Sequence, residues 1–309
     1  MKIQSSRLPC GLLALACALW ANAADVLAPQ KTGGIRVQTN LVTVLASVLD
    51  ENGRPIPDLP KDSFQISEEG VPQKIDRFEA ETNQPLEMAL MVDTSLSTMK
   101  ELKFEGEAAA RFIQKIVRPG DELGVFQFSD NVEQVAEFSS NVSSLVAAAH
   151  KLSPGAGTVL YDALVLGSRA ITRLAPNRRR VIVLVTDAGE TTSVYKFEDA
   201  RRAAIASEAL IYTILIRPVP NESGRNTAGE HAIVTITDST GGAMFTLDNF
   251  DQLDAMFDRI NRELRTQYLL GYYPQPVPPP ATYRHIQLEV QGAKTIHYRK
   301  EYLTAKATR

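Results

Sequence analysis

Four short apolar runs constrain the fold of this 309-residue chain more than any other feature: LEMALMV (86–92), LGVFQF (123–128), VIVLV (181–185) and LIYTILI (210–216). Runs this continuous suit strands buried on both faces, as in a parallel sheet. The segments between them carry helical spacing. Phe104, Ala108, Phe112 and Ile116 recur every four residues. Leu160, Leu164, Gly167, Ile171 and Leu174 form a second stripe, and both stripes read as core faces. FQFSDNVEQVAEF reads as a hairpin turning at Asp130-Asn131. STGGAMFTL reads as a helix stop at Gly241-Gly242 and a short strand, and residues 249–264 as a final amphipathic helix. Strands alternating with helices predict an α/β fold with a doubly wound, mainly parallel sheet over residues 85–265.

The flanks have a different character. IRVQTNLVTVLASVLD (35–50) alternates and is rich in Val, Thr and Leu, which is strand chemistry. Asn52-Gly53 signals a hairpin turn, and two short strands are expected around Glu69-Gly70. Residues 35–84 therefore read as a small β segment. After residue 265, TQYLLGYYP, RHIQLEVQG and KTIHYRKEYL read as three further strands, and PQPVPPP (274–280) as a stiff loop. Each flank alone has too few strands for stability, so the C-terminal segment (266–305) is expected to pair with 35–84 in a β-sandwich-like unit.

The first 23 residues predict export. Lys2 and Arg7 precede CGLLALACALW, an apolar core too short to span a bilayer, and Ala21-Asn22-Ala23 fits a small-x-small cleavage site. A retained anchor is the alternative, and Cys17 after ALA raises a lipoprotein reading, against which Ala14 stands where that signal prefers Leu. Residues 24–34 read as a linker. Removing the leader leaves 31 basic and 36 acidic residues, a net charge of −5. Both cysteines leave with it, so the mature chain would carry no disulfide and no Cys-based metal site. Nothing points to nucleic acid; Arg178–Arg180 is the one basic run and reads as a turn leading into a strand. No later stretch is apolar enough for a transmembrane helix, so a periplasmic or secreted product is expected.

Ligands of open α/β sheets bind beyond the carboxyl ends of the strands. The first apolar run ends in DTSLS, with Asp93, Ser95 and Ser97. The third ends in TDAGE, with Asp187, and the Gly-rich SPGAGTVLYDAL places Thr158 at a helix start. Together these offer two carboxylates and three hydroxyls, with no His or Cys. Such hard oxygen donors select Mg²⁺, Mn²⁺ or Ca²⁺ over zinc or copper. Helix N-termini at this edge would favour an anion, but a phosphate loop would want Gly and Lys, which DTSLS lacks. Taken singly, Asp93, Ser95 and Thr158 also fit helix caps and Asp187 a turn.

DTSLS, the GAGT threonine and the TDAGE aspartate resemble the metal-ion-dependent adhesion site of von Willebrand factor type A domains. RPGDELGVFQFSD and STGGAMFTL fit the same family, and the resemblance covers residues 85–265. The flanking strands resemble an exported bacterial subgroup typical of Acidobacteria. The resemblance implies a Rossmann-like sheet with helices on both faces. It implies Asp93, Ser95, Ser97, Thr158 and Asp187 as a Mg²⁺ site whose open position takes a carboxylate from a protein partner. Leu96 replaces the Gly usual between the serines, Thr98 precedes Met99, and TDAGE stands where TDG is commoner. Glu190 reads either as a partner of a metal-bound water or as a solvated loop residue.

The expected function is metal-dependent protein binding without catalysis. Two other readings stay open. One is a structural scaffold with an unused metal site. The other is a serine hydrolase using Ser95, although the positions that a nucleophile elbow fills with Gly are Asp93 and Ser97, and His150, His231, His285 and His297 lie in no motif.

Overall fold

A computed structural model describes residues 41–80, 83–96, 102–173, 178–217 and 226–305, and Thr39–Arg309 form one unit by their contacts. The leader, the linker, Ser97 and Leu174 lie outside the described residues. Strands β1 (Val42–Leu49), β2 (Phe64–Glu68), β3 (Val71–Gln73) and β4 (Arg77–Glu79) come first. The β2–β3 hairpin turns at Glu69 and Gly70, both at positive φ (49° and 78°), as a type I′ turn requires.

The four apolar runs become β5 (Leu86–Asp93), β6 (Glu122–Phe128), β8 (Arg179–Thr186) and β9 (Leu210–Ile216). Around them lie α1 (Leu102–Ile116), β7 (Val132–Ser139), α2 (Val142–Ala149), α3 (Leu160–Thr172), α4 (Phe197–Ser207), α5 (Thr227–Thr240), β10 (Met244–Leu247) and α6 (Leu253–Arg265). The sheet runs β10-β9-β8-β5-β6-β7 and is parallel except for β7, the hairpin partner of β6. All eight residues of β5 are buried because helices cover both faces. Leu86, Met88, Leu90 and Val92 join the α1/α6 core with Phe112 and Phe257, whose rings stack at 4.4 Å. Ala89 and Met91 face α3. A Cβ on Gly167 would lie 2.5 Å from Met91 Sδ, so the glycine in the second stripe lets α3 lie directly on β5.

The strands before and after the central sheet build a β-sandwich within the same unit, with β11 (Tyr268–Tyr272), β12 (Tyr283–Val290), β13 (Thr295–Tyr298) and β14 (Glu301–Leu303). Its sheets run β13-β1-β11-β4 and β14-β12-β2-β3. Alternate residues of β1, β2, β11 and β12 enclose one core. Inside it Glu68 accepts hydrogen bonds from Tyr272 Oη (2.7 Å), Tyr302 Oη (3.1 Å) and Arg284 Nε (2.8 Å). Both phenols are pushed well above their usual range by burial, with Glu68 adding to the rise.

Three local expectations are corrected. KTIHYRKEYL is two strands: Arg299 turns to pair with Glu208, Lys300 N–H bonds Ser239 O, and the chain crosses from the β1 sheet to the β12 sheet. Residues 249–264 begin as a short 3₁₀ turn, Phe250–Gln252, before α6. Between β7 and α3 stands a further helix, α2, capped by Asn141, whose side chain accepts from Ser144 N–H.

Candidate metal centre

Asp93 closes β5, the strand between β6 and β8, and Asp187 follows β8 immediately. The two strands pair in parallel up to Val92 and Val185, so both aspartates emerge at the same carboxyl edge. The Gly-rich loop is fastened to that edge by backbone bonds. Thr94 N–H reaches Phe128 O, Gly155 N–H reaches Thr94 O and Val159 N–H reaches Ser129 O, each at 2.9 Å. Asp130 completes the fastening by accepting Ala156 N–H and Gly157 N–H, both at 2.7 Å. A Cβ on Gly155 would lie 2.1 Å from Ser129 Oγ, so this glycine serves close approach of the loop to the sheet end.

Asp93 is 1% exposed. Its Oδ2 accepts the Thr186 hydroxyl at 2.6 Å and its Oδ1 accepts Ser95 N–H at 3.0 Å. Burial first, and the charge of Asp187 second, raise the Asp93 pKa from 3.8 to about 6 in spite of those hydrogen bonds. Asp187 Oδ1 accepts Gly189 N–H at 2.8 Å. A Cβ on Gly189 would lie 3.0 Å from Asp187 Oδ1 and 3.1 Å from Thr158 Oγ1, so those two oxygens flank one small space. Thr158 is locked to the Asp187 loop in both directions: its N–H donates to Thr191 Oγ1 and its carbonyl accepts Thr191 N–H, each at 2.9 Å.

Four of the five expected ligands thus sit at one edge on three loops: Asp93 and Ser95, Thr158, and Asp187. Ser97, the fifth, lies outside the described residues. Among the described residues no three His, Cys, Asp or Glu side chains come together as a candidate metal group, and the expected set here has two carboxylates and otherwise hydroxyls. An all-oxygen set with two carboxylates, one of them held above its normal pKa, fits a hard divalent cation.

Sequence reasoning missed the residues that hold these loops. Thr186 also accepts Ala188 N–H at 3.0 Å and so ties Asp93 to the Asp187 loop. Asp130 lies in the β6–β7 hairpin turn, as expected, and is also a clasp. Glu190 has a third role: Oε2 accepts Tyr161 N–H (3.1 Å) and the Ser193 hydroxyl (2.6 Å), and Oε1 accepts Ser193 N–H (3.0 Å). It caps the first turn of α3. Ala188 occupies the left-handed region at φ 63°, a conformation that the Gly of a TDG loop adopts without strain. Leu96 is 56% exposed beside the site.

The profile of the von Willebrand factor type A domain matches residues 88–190. Residues 88–190, about a third of the chain, are thus similar to a von Willebrand factor type A domain. The match begins in β5 and ends at Glu190, so it contains every candidate ligand. A von Willebrand factor type A structure from Catenulispora acidiphila is similar at TM-score 0.51 and 11% identity, over 88% of this chain and 74% of that one. That likeness is one of fold. BatB, a conserved hypothetical protein from Bacteroides thetaiotaomicron, is similar at TM-score 0.46 and 17% identity, covering 59% of this chain and 100% of its own. The vWF domain of the type V pili tip protein Mfa5 from Porphyromonas gingivalis gives TM-score 0.46 and 12% identity, over 59% and 95%. A search of curated protein sequences finds no match.

Proposed function

We propose that this von Willebrand factor type A-like domain is an exported binding module that holds Mg²⁺, with Mn²⁺ or Ca²⁺ as substitutes, and uses it to capture a protein partner through an acidic side chain. The observation that carries the reading is the Asp93–Asp187 pair. Two carboxylates from different strands are brought together at the sheet edge, and the buried one bears an electrostatic penalty that a cation would reverse. Asp93, Ser95, Ser97, Thr158 and Asp187 would hold the ion. The bound ion would supply a positive centre for an outside carboxylate.

This chain's own residues prepare that centre. Thr186 and Ser95 fix the Asp93 carboxylate, Thr191 fixes Thr158, and Gly189 leaves room between the Thr158 and Asp187 oxygens. The role is binding rather than catalysis. His285 and His297 lie in the sandwich strands paired with Glu69 and Glu263, away from Ser95 on the first loop of the central sheet.

The test is capture of envelope proteins on the immobilised mature protein. The reading expects retention in Mg²⁺, elution by chelator, and no retention on Asp187→Ala. Capture that is identical in chelator and in the variant would overturn it in favour of a structural scaffold.

A further inference from the structure

At the opposite end of β8 lies a cavity of about 370 Å³ between the amino edge of the central sheet and the β1 sheet of the sandwich. The run Arg178–Arg180, read from sequence as a solvated turn, forms one wall, and Arg77, Arg299 and Glu208 form the rest of its charged lining. By strand rise the eight residues of β8 separate this cavity from Asp187 by roughly 25 Å.

Five arginines and one glutamate make up the charged lining, and their acidic partners lie mostly outside it. Arg77 pairs with Glu79 at 2.6 Å, Arg178 with Glu122 at 3.2 Å and Arg299 with Glu208 at 3.0 Å. Among the described residues Arg179 and Arg180 form no ion pair within 4.0 Å, and carboxylates reach them only through space, Asp121 acting on Arg179 and Glu208 and Glu87 on Arg180. Arg179 is buried and donates to the Gln84 carbonyl (2.9 Å), the Leu264 carbonyl (2.6 Å) and the Gln267 amide oxygen (3.1 Å). Arg180 donates to the Ser207 carbonyl at 3.1 Å, and its Nε is buried without a hydrogen-bond partner, as is the Nε of Arg299. Glu87 stands on β5 beside Arg180 in the register. Its carboxylate is buried, makes no hydrogen bond, and is pushed above its usual range by burial, so it compensates neither guanidinium well. Burial and the neighbouring Arg265 in turn lower Arg179 to about 10, and the opposing pull of Asp121 does not offset them.

We infer that this arginine-walled cavity is a binding site for a small phosphorylated ligand. Five guanidinium groups against one carboxylate in the lining suit the charge of a phosphoryl group, about −1.5 to −2 at neutral pH, better than that of a single carboxylate. Arginine forks suit phosphate oxygens geometrically. The volume falls within the range of small-molecule sites and exceeds what a single ion fills. The site is separate from the metal centre and does not depend on it.

Inorganic pyrophosphate is the probe. It is titrated calorimetrically into the metal-free full chain at fixed ionic strength, with citrate as the carboxylate control. The expected result is saturable binding of pyrophosphate, tighter than citrate. In Arg180→Gln binding should weaken by about tenfold or more, the loss of one charge-assisted hydrogen bond. Arg77→Gln, on the outer rim, guards against misfolding of the first variant and should also weaken binding. Mg²⁺ binding measured separately should be unchanged in both. No saturable binding to the wild-type chain, equal affinity in both folded variants, or tighter binding of citrate would each overturn the inference.

Discussion

Replacing Asp93 with asparagine should strengthen the metal-free fold and abolish its response to Mg²⁺. Asp93 is buried at the end of β5, and its pKa is raised from 3.8 to about 6. An acid with a raised folded pKa favours the native state only while protonated. That contribution is complete below pH 3.8, is lost as the pH climbs to about 6, and leaves a penalty of about 3 kcal/mol above it. Asparagine removes the charge but keeps the shape. It gives up one acceptor, since Oδ1 and Oδ2 now receive bonds from Ser95 and Thr186, at about 1 kcal/mol. The net gain for Asp93→Asn in chelator at pH 7.5 is therefore about 2 kcal/mol, and it vanishes or reverses by pH 4. Mg²⁺ should act in the opposite sense: at a hundredfold excess over its dissociation constant it stabilises the wild-type chain by about 2.7 kcal/mol and leaves the variant unmoved. Urea denaturation at the two pH values, with Mg²⁺ or chelator, measures all four quantities. A variant less stable than wild type in chelator at pH 7.5 would refute the reasoning, because the Asp93 charge would then be favourable without a cation.

Other perturbations separate the roles of neighbouring residues. Glu190→Ala should cost about 1–2 kcal/mol in denaturation through the lost α3 cap and leave Mg²⁺ affinity unchanged; a large loss of affinity at full stability would restore a direct role at the metal. Gly189→Ala places a methyl 3.0 Å from Asp187 Oδ1 and 3.1 Å from Thr158 Oγ1 and should weaken Mg²⁺ binding in a folded protein, with unchanged calorimetric affinity counting against the site. In the sandwich, Tyr272→Phe removes a hydrogen bond to the buried Glu68 carboxylate and should lower stability by about 1.5–3 kcal/mol. A loss near zero would mean that water or Tyr302 replaces the bond.

The central sheet was legible because its strands are buried on both faces. LEMALMV, LGVFQF, VIVLV and LIYTILI are continuous apolar runs, and each became a strand within one or two residues of its expected limits. The pairing of the two chain ends followed from strand number alone. What could not be read depends on single contacts between distant residues. KTIHYRKEYL alternates throughout, and the break between its two strands falls where Arg299 pairs with Glu208 and Lys300 N–H bonds the Ser239 carbonyl. The same limit applied at the candidate site. The strand-end positions of Asp93 and Asp187 and the helix-start position of Thr158 were readable from local pattern. Thr186, Thr191 and Asp130, which hold the loops against one another, carry no local signal because their partners lie up to 93 residues away. Glu190 was misread for that reason, its cap partner Tyr161 lying in the preceding helix.

Calorimetric titration of Mg²⁺ into the mature chain, beside Asp93→Ala and Asp187→Ala, tests the central claim most directly. The account predicts saturable binding of one ion per chain in the wild type and none in either variant. Equal heats in all three proteins, or no binding in the wild type, would contradict it.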